Sequence, residues 1–123
     1  MIFVFGSNLA GRHGKGSAKF ARDNLGAVYG VGEGLTGNCY ALPTKDYNIK
    51  TRPLNDIHES IKTFLKVASE NTDKIFKVTP IGCGLAGYKV HQIRALFLQE
   101  TIPENVVFSK EWFQEYKETE RYK

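Results

Sequence analysis

The chain has 123 residues, 41% of them hydrophobic and 24% charged, with a formal net charge of +4. This is the length of one ordinary domain with enough apolar content for a packed core, which excludes a two-domain protein and a disordered chain. No apolar run approaches the roughly 18 residues needed to cross a bilayer, and the mild basicity suits a polyanionic ligand without by itself pointing to nucleic acid.

Residues 1–5 (Met-Ile-Phe-Val-Phe) are too short for a signal-peptide core, lack a basic start and read as a strand. A glycine-rich loop over residues 6–16 then leads into a helix with Ala18, Ala21 and Leu25 at helical spacing. A second strand follows at 38–43, preceded by an extended piece at 27–29. From 53 to 71, Leu54, Ile57, Ile61, Phe64, Leu65 and Ala68 trace one helical face. Pro53 suits its first turn, and Asp56 and Glu59 precede Lys62 and Lys66, as the helix dipole favours. Residues 75–81 form the third strand. A second glycine loop and a helix carrying Val90, Ile93 and Phe97 come next. The fourth strand is 106–108, and Ser109 is placed to cap a last helix containing Trp112, Phe113 and Tyr116. Alternating helices and fully apolar strands predict an α/β fold, a mostly parallel sheet of about four core strands covered on both faces. Residues 1–123 read as one domain.

All 12 glycines fall in two stretches, nine from Gly6 to Gly37 and three at Gly82, Gly84 and Gly87. Both loops leave strands and open helices, where free main-chain N–H groups and the helix dipole receive a phosphate. The first reads Gly6-Ser7-Asn8-Leu9-Ala10-Gly11-Arg12-His13-Gly14-Lys15-Gly16-Ser17, and Arg12 or Lys15 adds positive charge. The second reads Pro80-Ile81-Gly82-Cys83-Gly84-Leu85-Ala86-Gly87-Tyr88. Loops at the carboxyl ends of parallel strands can share one crevice, wrapping a diphosphate while Tyr88 packs on a ribose or base. The plainer reading is two connecting turns.

Two familiar phosphate motifs do not apply. A P-loop places lysine directly before Ser or Thr, whereas Gly16 separates Lys15 from Ser17. Residues 32–37 match Gly-x-Gly-x-x-Gly but run into a strand, so no helix start faces a pyrophosphate. Cys83 reads better as a small thiol beside glycines than as a nucleophile, since His13, His58 and His91 are dispersed and offer it no base. The same scatter leaves no metal-ligand spacing, and neither metal nor cofactor is expected. Lys45 and Asp46 follow the second strand at its carboxyl end, where functional side chains of open α/β sheets gather. Both cysteines read as reduced thiols, implying the cytoplasm.

Together these segments resemble macro domains, which bind ADP-ribose and its derivatives. Tyr40-Ala41-Leu42-Pro43-Thr44-Lys45, the helix from Leu54 and Ile81-Gly82-Cys83-Gly84-Leu85 resemble the branch that includes terminal ADP-ribose glycohydrolases acting on protein glutamate. The overall likeness is to a compact phage-encoded version of the family and runs from Met1 to about Phe108; a phage protein would act in the host cytoplasm. The resemblance implies a three-layer α/β/α sandwich with the first core strand between the third and fourth and the second at an edge beside the third.

It also implies a ligand, ADP-ribose or a related nucleotide derivative, bound by Gly6, Ser7, Asn8, Gly14, Lys15, Gly16 and Ser17 and by the loop from Gly82 to Tyr88. Asn8 matches the asparagine that reaches the distal ribose, and Lys45 matches the lysine that attacks the distal ribose carbon. The implied reactions are removal of ADP-ribose from protein and dephosphorylation of ADP-ribose 1″-phosphate, with an ADP-ribosylated protein as partner. Ala86 stands where the branch carries an acid, leaving Asp46 or Glu33 to substitute. The alternative is a non-catalytic module for a nucleotide-like signal. A nucleic-acid-binding domain is weaker, for no surface interleaves basic and aromatic residues.

Overall fold

The structure is a computed structural model that describes residues 1–113; Tyr116 of the expected last helix lies outside them. Eight elements follow in chain order: β1 (Ile2–Asn8), α1 (Gly16–Asn24), β2 (Gly34–Thr36), β3 (Cys39–Lys45), α2 (Leu54–Glu70), β4 (Phe76–Val78), α3 (Val90–Leu98) and β5 (Val106–Phe108). They build one sheet in the order β2-β3-β1-β4-β5, parallel throughout except for β2, which is antiparallel to β3.

Two-residue periodicity sorts the strand side chains to the two faces. Ile2, Val4, Tyr40, Leu42, Phe76 and Val78 face α2 and α3, where Ile57, Ile61, Phe64, Ile93 and Phe97 complete the larger core. Phe5, Cys39 and Ala41 face the other way, onto Ala18 and Ala21 of α1 and onto Ala27. This second layer is built largely from alanines, so α1 lies close over β1 and β3. The three-layer α/β/α arrangement expected from the sequence is present.

Two expectations need correction. β1 lies between β3 and β4, the second and third of the expected core strands, not between the third and fourth (β4 and β5), and β5 takes the edge beside β4. The β1–α1–β3 passage is a short crossover, and parallel strands joined that way pair as neighbours; the two match from Phe3↔Cys39 to Asn8↔Lys45. The extended piece expected at 27–29 forms no strand; the short strand that precedes β3 comes later. It lies at Gly34–Thr36, inside the Gly-x-Gly-x-x-Gly stretch, and turns back on β3 through Gly37. The conclusion that matters for function stands, because the two glycine loops still leave adjacent strands, β1 and β4.

Trp112 closes the core from the end of the described chain. It is 1% exposed, its Nε1–H donates to the Val78 carbonyl at 2.8 Å, and its ring meets Phe97 and Phe108 edge-on. Trp112→Ala is expected to cost about 3–5 kcal/mol in urea unfolding. Phe113→Ala, at an exposed neighbour, should stay within about 0.5 kcal/mol.

Candidate functional site

The first loop begins where β1 and β3 slip register, between Ser7 and Asn8. Leu9 N–H still reaches the Lys45 carbonyl at 2.9 Å. The Asn8 amide then folds the loop onto itself: its Nδ2 donates to the Arg12 carbonyl (2.9 Å) and its Oδ1 accepts from the Arg12 N–H (3.0 Å). Another stretch of main chain, residues 28–33, packs against this loop without space for side chains. A Cβ on Gly11 would sit 2.2 Å from the Gly30 carbonyl carbon, and one on Gly32 2.5 Å from the Asn8 and Leu9 carbonyl oxygens. The Ser7 hydroxyl donates to the Gly32 carbonyl, and Gly30 N–H to the Gly11 carbonyl at 2.8 Å.

His13 completes this contact. Its ring is fully buried against Phe5 and Tyr29, and Nε2 lies 3.0 Å from the Val31 carbonyl. A carbonyl only accepts, so Nε2 carries the proton; the buried Nδ1 has no partner among the described residues. Burial is the main cause that lowers the His13 pKa, the Val31 bond opposes it and Arg22 reinforces it.

Past His13 the chain enters α1 at Gly16 (φ 59°) with no capping side chain and no acid in the first turn. Lys19 N–H to the Lys15 carbonyl (3.2 Å) starts the helical ladder. The N–H groups of Gly16, Ser17 and Ala18 precede it without a helical acceptor. In the second loop, Tyr88 N–H bonds the Gly82 carbonyl (2.9 Å) and Gly87 N–H the Gly84 carbonyl (3.1 Å). Between them the N–H groups of Gly84, Leu85 and Ala86 have no acceptor among the described residues.

These two sets of donors border one cleft of about 540 Å³, a size that suits a small-molecule ligand. Of the residues expected from the sequence, Gly6, Ser7 and Asn8, Gly14 to Ser17, Lys45, Gly82 and Gly84 to Ala86 line it. Arg12, Lys15 and Lys45 bring positive charge, and no acidic side chain lines it among the described residues. The Lys45 ammonium has no hydrogen bond or ion pair among those residues.

Five expected residues are placed otherwise. The Tyr88 hydroxyl donates to the Arg52 carbonyl at 2.7 Å and its ring packs on the larger core, and Tyr88 does not line the cleft. Cys83 also packs on that core, its thiol 3.3 Å from the Ile81 carbonyl. Gly87 forms the left-handed end of the loop at φ 88°. The Asp46 carboxylate accepts from the N–H groups of Asn48 (2.8 Å) and Lys50 (3.0 Å). The Lys50 bond is the leading cause that holds this carboxyl below its ordinary pKa, so Asp46 stays ionised within a turn outside the cleft lining. Glu33 does not line the cleft either.

Sequence reasoning missed Thr44 and Ile49 as lining residues. Thr44 is buried, its hydroxyl 3.4 Å from the Ser7 carbonyl. Arg52 was also missed. It braces the site from behind, its Nη1 donating to the Pro43 carbonyl and the Ser60 hydroxyl, both at 2.8 Å. Among the described residues no group of three His, Cys, Asp or Glu side chains could hold a metal, and no helix is long and apolar enough to cross a membrane.

No protein-family model and no curated protein matches the sequence. Among solved structures, the macrodomain of Mycobacterium tuberculosis DarG superposes with a TM-score of 0.57 over 87% of this chain and 86% of that chain, at 19% identity. This is a macrodomain fold.

Within this macrodomain fold the buried position of His13 favours its neutral ring, and that makes stability pH-dependent. The folded pKa lies below the unfolded value of about 6.5, so the unfolded chain takes up the proton first as pH falls. Its contribution is complete above about pH 6.5 and declines below it, by up to about 1.4 kcal/mol per pH unit, until the folded state also protonates. The stability difference between wild type and His13→Gln, measured by urea unfolding from pH 7.5 to 5, should shrink over that window.

Proposed function

We propose that this chain binds ADP-ribose or a related nucleotide derivative, with the diphosphate held between the start of α1 and residues 84–86. One observation carries the reading: two sets of main-chain donors, unpaired among the described residues, border a single cleft whose described lining holds three cations and no acid. A diphosphate accepts from both sets at once, and the helix dipole adds to the attraction. The nucleotide class comes from the resemblance in the sequence and agrees with the macrodomain fold. Residues 1–123 act as one domain in this reading, in a cytoplasm that keeps the two free cysteines reduced.

Gly84→Val tests the site directly. A Cβ at Gly84 meets no atom within 4 Å, so the substitution fits the fold while adding bulk to a residue that lines the cleft. Unfolding stability should change by no more than about 0.5 kcal/mol. The dissociation constant for ADP-ribose, by calorimetry, should rise about a hundredfold or more. Wild-type affinity in the folded variant places the ligand elsewhere.

Turnover is a second reading, favoured by the unpaired Lys45 amine in the same cleft. Once deprotonated, that amine attacks the distal ribose carbon; the new C–N bond forms as the bond from that carbon to the departing protein carboxylate breaks, the nitrogen loses a proton as the sugar ring opens to an imine, and borohydride reduces that imine where water would otherwise hydrolyse it and free the amine. A lining without an acidic side chain among the described residues favours the non-catalytic module instead, since positioned acid–base groups are worth about 10²–10⁴ in rate. Borohydride treatment during incubation with ADP-ribosylated protein decides between them. An enzyme gives a covalent adduct on Lys45, and Lys45→Ala loses both adduct and turnover while binding ADP-ribose. A module gives neither adduct nor turnover in the wild type.

A further inference from the structure

The turn after Lys45 departs from local backbone rules. Ile49 N–H donates to the Asp46 carbonyl (3.1 Å), and Asp46 N–H to the Lys50 carbonyl (2.8 Å). The Asp46 carboxylate caps the N–H groups of Asn48 and Lys50. This is a β-turn followed by one left-handed residue, a position that short hairpin loops give to glycine or asparagine. Here it holds Ile49 at φ 62°, the one non-glycine residue at positive φ among the described residues. A β-branched side chain is poorly accommodated there. The surroundings keep the conformation in place: Thr51 pairs with Lys45, its hydroxyl donates to the Ala86 carbonyl at 2.8 Å, and Arg52 N–H reaches the Thr44 carbonyl at 2.9 Å.

Glycine would make this turn with less strain, so turn formation does not account for isoleucine. What Ile49 adds is a branched apolar residue in the lining of the cleft that Lys45 also lines. Strained residues held by their surroundings gather at ligand sites. We propose that Ile49 is a ligand-contacting residue that sets specificity, packing against the carbon face of the sugar beyond the diphosphate on the Lys45 side. This rests on the nucleotide reading of the cleft.

The test compares ADP-ribose with ADP, which ends at the diphosphate and lacks that sugar. Calorimetry on wild type, Ile49→Gly and Ile49→Asn gives both affinities, and thermal melts without ligand give stability. Both substitutions suit a left-handed residue, so the melting temperature should hold or rise. ADP-ribose affinity should fall about tenfold and ADP affinity less than about twofold. Stability and affinity thus separate, which a purely structural residue does not produce. Unchanged ADP-ribose affinity, or an equal loss for both nucleotides, overturns the proposal while leaving the nucleotide site intact. A wild type that binds neither nucleotide overturns the nucleotide reading and this inference with it.

Discussion

The site depends on a crossing of two main chains that admits no side chain. Residues 30 and 32 pass against residues 8–11 so closely that a single Cβ at Gly11 or Gly32 would overlap backbone atoms. Backbone cannot rotate aside as a side-chain tip can, so the first loop has little freedom once this contact forms. The Ser7 hydroxyl and the His13 ring fasten the same contact at either end. With the loop held, α1 begins where it must, with its uncapped first turn directed at the cleft rather than masked by a side chain.

The layer between sheet and α1 serves the same end. Ala18, Ala21, Ala27 and Ala41 leave little depth between helix and strands, so the start of α1 lies near the carboxyl ends of β1 and β3. The larger side chains are on the opposite face, where α2 and α3 supply the bulk of apolar burial. Stability and ligand geometry are thereby divided between the two faces of one sheet. Charge follows the division: the neutral His13 adds none to the buried side, and Arg12, Lys15 and Lys45 direct theirs to the cleft.

Periodicity made the elements legible in the sequence. The stripe from Leu54 to Ala68 and the apolar strands at Val4, Leu42 and Val78 have burial that follows from spacing alone, and glycine clustering identified both loops. Strand order was not legible, because pairing partners are set by crossover geometry and the residues that decide it carry no period. Side-chain direction within the loops was hidden for a related reason. Cys83 and Tyr88 share the second loop with Gly84 and Ala86, yet loops lack a repeating twist, and only the fold shows which of them turn toward the core. Asp46 looked functional from its position beside Lys45; the turn it caps was invisible without the backbone angles that put Ile49 at φ 62°.

The position of β1 also bears on the order in which the chain is made. It leaves the ribosome before β3 and β4, yet it is the strand between them, so both its edges stand open until each later partner emerges. Pairing of Val4 with Tyr40 can begin once β3 is free, but the Val78 edge waits for α2 as well. An apolar strand with an open edge is a template for other chains. For this protein the exposure therefore begins when β1 emerges, halves when β3 pairs with it, and ends only when β4 is free, after α2 has been made.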